Sequence, residues 1–93
     1  MKVLVKGPGQ PGELQDFPDG ILERMNALEM AVGGYIEGVR LSDTLYAIHD
    51  EKGVLKQKPH NVFGLAGTIV FCGVNEKGLT DVPRDDPLLQ EVI

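Results

Sequence analysis

The sequence predicts an α+β domain: a mostly antiparallel sheet of about five or six strands, one main amphipathic helix over about residues 20–32 packed on it, and a short C-terminal helix or tail. Three observations carry this reading. The run Thr68-Ile69-Val70-Phe71 with Val74 is β-branched and aromatic, a single stretch repeats apolar residues at helical spacing, and short strand-forming segments alternate with Gly, Pro and Asx turn signals. With 93 residues, 42% of them hydrophobic and 25% charged, the chain supports one modest core, so residues 1–93 are read as one domain. The absence of Trp and the scarcity of Phe and Tyr make that core aliphatic.

Lys2 to Lys6 reads as the first strand and Glu13 to Phe17 as its return. The hexapeptide Gly7-Pro8-Gly9-Gln10-Pro11-Gly12 between them formally matches the dinucleotide fingerprint G-x-G-x-x-G. That motif requires a helix whose backbone N–H groups converge on a pyrophosphate. Pro8 and Pro11 have no N–H and Pro18 follows too soon, so the segment is read as a hairpin loop. Asp19 or Gly20 caps the helix, on which Ile21, Met25, Leu28 and Val32 share one face, with Met25 and Met30 as core filler. Gly33-Gly34 ends it.

Tyr35 to Leu41 and Thr44 to His49 are strands joined at Ser42-Asp43, with a bulge expected at Gly38. Asp50-Glu51-Lys52-Gly53 and Asn75-Glu76-Lys77-Gly78 look like the same hairpin turn used twice. The apolar run from Thr68 to Val74 lies between them and is the central strand, buried on both faces. Asp86-Pro87 opens a short final helix or tail. Val3, Val5, Ile36, Ile48 and Phe71 offer more apolar strand surface than one helix covers, which predicts self-association as a homodimer or higher homo-oligomer.

The net charge of −5 disfavours general binding to a nucleic-acid backbone, and the apolar runs are too short to span a membrane. One cysteine, Cys72, and no leader-like opening are expected of a cytoplasmic protein. Familiar nucleophile, zinc and triphosphate motifs are missing, Ser42 is the only serine, and His49 and His60 have no partner at ligand spacing. No catalytic residue, metal or cofactor is therefore assigned. The remaining candidate is Lys56-Gln57-Lys58-Pro59-His60-Asn61, the only locally basic loop. Lys56, Lys58, His60 and Asn61, with backbone N–H groups near Gly64 and Gly67, make a candidate concavity for a small anionic ligand. Tyr35 or Phe63 would stack a base. The plainer reading is a solvated connection whose Asn61 caps a turn; on either one, alanine at Lys58 and Asn61 is expected to leave the fold intact.

Met-Lys-Val-Leu-Val-Lys at the start, Ala-Val-Gly-Gly-Tyr-Ile-Glu from Ala31 to Glu37, Asp-Glu-x-Gly from Asp50, Asn61, and Gly-Thr-Ile-Val-Phe-Cys-Gly-Val from Gly67 resemble an uncharacterised domain-of-unknown-function family. Its members are short accessory proteins of phages, plasmids and integrative elements of bacteria. The resemblance implies a counter-defence role in the host bacterial cytosol and names no catalytic residue. Three readings follow: sequestration of a small anionic nucleotide-type signal, inhibition of a host defence protein by direct contact, and, third, a small enzyme acting on a nucleotide.

Overall fold

The computed structural model describes residues 1–93. Six strands form one antiparallel sheet: β1 (Lys2–Lys6), β2 (Glu13–Asp16), β3 (Ile36–Arg40), β4 (Leu45–Asp50), β5 (Ile69–Asn75) and β6 (Gly78–Thr80). The order is β2-β1-β5-β4-β3, with β6 also pairing β5. Helix α1 (Ile21–Val32) lies on one face and a one-turn helix, α2 (Pro87–Gln90), comes near the C-terminus. The α+β expectation holds, and β5 is central because Ile69, Val70, Phe71 and Cys72 are buried on both sides of the sheet.

Each face of the sheet carries its own apolar cluster. Val3, Ile48, Val70 and Cys72 pack with Leu28 and Val32 of α1. On the opposite face Leu45, Ala47, Ile69 and Phe71 are covered by Val82, Leu88, Leu89 and Val92 of the C-terminal segment, together with Val62 and Leu65. Asp86 fastens that cover. It accepts hydrogen bonds from Ser42 Oγ (2.8 Å), Thr44 Oγ1 (3.0 Å) and the Leu88 N–H (2.9 Å), so the cap of α2 also holds the β3–β4 turn. Val3, Ile48 and Phe71 are fully covered within one chain, and the second face needs no partner to close it.

Four local expectations are corrected. The face of α1 read as Ile21, Met25, Leu28 and Val32 is buried only at Leu28 and Val32. Ala27, Ala31 and the Arg24 stem, whose guanidinium donates to Pro18 O and Asp19 O, set the inner line, and Ile21 and Met25 stay exposed. Met30 is outside the core altogether. The β3–β4 register runs unbroken from Ile36↔Asp50 to Arg40↔Tyr46, without a bulge; Gly38 leaves room for the Tyr46 ring, which a Cβ there would overlap. Finally, Asn75 to Gly78 is the expected hairpin turn, but Asp50 to Gly53 is not. It continues into helical turns through Gln57, closed by Gly53 N–H to Asp50 O, Lys56 N–H to Lys52 O and Lys58 N–H to Gly53 O, and leaves Val54 and Leu55 exposed.

Candidate functional site

Asp50 ends β4 on the face that carries α1, and its side chain is only 2% exposed. A carboxylate removed from water this far needs cations and donors around it. Oδ2 pairs with Lys56 Nζ and Lys58 Nζ, each at 2.8 Å, and Oδ1 accepts from the Lys52 backbone N–H at 2.9 Å. The same ammonium groups donate to the last carbonyls of the helix, Lys56 to Gly33 O (3.2 Å) and Lys58 to Val32 O (2.6 Å). Helix α1 has no basic residue in its last turn, so these lysines bring the positive charge that its carbonyl end favours. The Lys56 ammonium first, then that of Lys58, holds the Asp50 carboxyl well below the usual carboxylate range. Gly34 makes room for the cluster, since a Cβ there would meet Lys56 Nζ at 2.6 Å.

Asn61 is a second internal pin. Its amide donates to Lys6 O and Gly67 O, both at 2.9 Å, and its Oδ1 accepts from the Val62 N–H at 2.8 Å. The expected turn cap is present. The expected solvent-facing, dispensable connection is not: Lys58 and Asn61 both hold the fold together. Gly67 is buried and its N–H donates to Pro59 O. Gly64 (φ +72°) and Phe63 (φ +57°) form a left-handed corner in which the Phe63 ring meets Phe71 edge-on, at 6.1 Å between centroids. His60 is exposed and joins Ala66 through a backbone bridge.

The structure thus brings Lys56 and Lys58 together around Asp50, and Asn61 together with Gly67; both amide donors of Asn61 and two of the three donors of each ammonium are engaged inside the chain. Tyr35 is separate from Phe63 and borders an open depression of about 510 Å³ with Glu29, Met30, Gly34, Lys52 and Lys56. An anion placed there would meet Lys52 and Lys56 but also the Glu29 carboxylate and the carbonyl end of α1.

The sequence reading missed a different group of residues. Leu22 and Met30 are 76 and 84% exposed along the outer side of α1, Ile21 is 82% exposed at its N-terminal end, and Val54 and Leu55 stand out on the turn that follows β4. Leu22, Asn26 and Met30 follow one another at i, i+4 and i+8, a stripe legible in the sequence, with acidic Glu23 and Glu29 beside it.

The family assignment rests on the chain as a whole. A family model described as Domain of unknown function (DUF3846) matches residues 1–92. The chain belongs to the DUF3846 family. No curated protein and no solved structure matches it. In this DUF3846 chain no helix is long and apolar enough to cross a membrane.

The single thiol of the DUF3846 domain is inert by position. Cys72 is fully buried in β5, and burial pushes its thiol up to about 12, so the nucleophilic thiolate is scarce near neutral pH. Labelling with an aromatic disulfide reagent is expected to run at the rate of unfolding; rapid labelling of the native protein would contradict this packing.

Proposed function

We propose that this chain is a non-enzymatic binding module whose partner is a protein, docked on the outer side of α1 and the adjoining turn. The observation that carries this reading is the exposure of Leu22 and Met30, at i and i+8 on the outer side of α1, where a solvated surface would normally present polar residues. Glu23 and Glu29 border the stripe and the chain has a net charge of −5, so the partner surface that fits is apolar with a basic rim. The resemblance to accessory proteins of mobile elements supplies a setting in which that partner is a host defence protein. Sequestration of a nucleotide-type anion has weaker support. The lysines and the asparagine it relied on are engaged with Asp50, helix carbonyls and strand carbonyls.

The test replaces Leu22 and Met30 with Glu. Both side chains face solvent, so the melting temperature should stay close to the parent's, with a stability change within about 0.5 kcal/mol per site. Capture of a host protein, confirmed with that protein purified, should fall at least tenfold. Unchanged capture by the double variant, or retention of a nucleotide by the parent at stoichiometric level, would overturn the reading.

A further inference from the structure

Strand β3 forms one edge of the sheet, pairing only with β4. The parity of its hydrogen bonds can be followed from its ends. Glu51 N–H donates to Tyr35 O and Leu41 N–H donates to Leu45 O, so residues 35 and 41 turn their backbone groups toward β4. Alternation then aims the N–H and C=O groups of Ile36, Gly38 and Arg40 outward, away from the sheet. No turn, loop or cap backbone hydrogen bond engages these groups. The lane beside them is clear. Gly38 has no side chain, and the Arg40 guanidinium folds back to donate to Ser42 O (3.1 Å) and Asp43 O (2.7 Å).

Proteins usually blunt such an edge with proline, a bulge or a very short strand. The opposite edge, β2, is four residues long and lies between Pro11 and Pro18. β3 has no proline and its register is unbroken; of its two charged residues, Glu37 and Arg40, the Arg40 guanidinium is tied back to the β3–β4 turn.

We infer that the free edge of β3 pairs with β3 of a second copy of this chain, antiparallel about a two-fold axis through Gly38. The geometry is self-complementary. Gly38 meets Gly38 of the partner copy, Ile36 meets Arg40 of the partner copy, and every outward N–H and C=O finds a partner. On the side-chain side Glu37 lies opposite Val39 of the partner copy, so no like charges stand directly across from each other. The pairing leaves the outer side of α1 free and is independent of the docking proposed above.

Charge at position 39 tests both the interface and its register. Val39 is 37% exposed, and either charged side chain can extend into solvent in the single chain. Val39→Lys faces Glu37 of the partner copy twice over, and Val39→Glu repeats the acid. Sedimentation equilibrium should show a dimeric parent, with the dissociation constant about tenfold lower for Val39→Lys and about tenfold higher for Val39→Glu. Amide exchange at Ile36, Gly38 and Arg40 should speed up on dilution while Glu37 and Val39 stay protected. Parent and Val39→Lys both monomeric at the highest soluble concentration would overturn the inference. So would a dimer that responds identically to the two charges.

Discussion

Asp50→Asn is expected to destabilise the protein by about 2–3 kcal/mol, a drop in melting temperature of roughly 10–20 °C. The isosteric amide keeps the volume but removes the charge that two ammonium groups share, leaving Lys56 and Lys58 close together against the end of α1. Breaking a fully buried pair costs about 3–5 kcal/mol, and the lower figure applies because both ammonium groups reach water. The effect carries a pH signature. A carboxyl held below its ordinary value of 3.8 contributes stability that is fully present above that value and is lost as pH falls through the lower folded-state value. Parent and variant should therefore differ by a constant amount above about pH 5 and converge as the solution is acidified below about pH 4. Chemical denaturation at a series of pH values measures both; a gap that widens on acidification would contradict the assigned ion pairs.

Asn61→Ala is expected to cost about 1.5–3 kcal/mol. It leaves the carbonyls of Lys6 and Gly67 without their donor and the Val62 N–H without its acceptor, at the point where the long connection meets β1 and β5. Asn61→Asp separates the contacts. The acid keeps the acceptor for Val62 but turns a negative oxygen toward two carbonyls, so it should be no more stable than the alanine variant. Urea midpoints for the two variants check this. A stable aspartate variant would mean that the amide bonds to Lys6 O and Gly67 O contribute little.

These costs arise in a loop whose composition suggested solvent. The sheet and helix were legible because their signals are local: β5 is apolar on both faces, α1 repeats at helical spacing, and Gly33 adopts the left-handed stop (φ +79°) expected of it. Asp50-Glu51-Lys52-Gly53 was misread because its chemistry matches that of Asn75-Glu76-Lys77-Gly78. What separates the two turns is the company of the first residue. Both side chains accept from the N–H two residues on, Asn75 from Lys77 and Asp50 from Lys52, but Asp50 alone also reaches lysines further along the chain and, through them, a helix end. One signal for this was in the sequence: a helix ending in Glu29-Met30-Ala31-Val32 supplies no cation for its own carbonyl end, so one must come from elsewhere. The cover of the second sheet face by Val82, Leu88, Leu89 and Val92 had no such local marker. Short apolar residues scattered through a turn-rich tail become a lid only when the tail folds back.

The proposed division of labour, with the basic loop holding the fold and the outer side of α1 engaging a protein, is tested most directly by photo-crosslinking in the host. A photoreactive residue is placed singly at Leu22, Met30, His60 or Gln57, positions that are all exposed. One host protein is expected to crosslink from Leu22 and Met30 and not from Gln57 or His60. Crosslinks confined to Gln57 and His60, or a small anionic ligand bound there with no crosslink from α1, would contradict it.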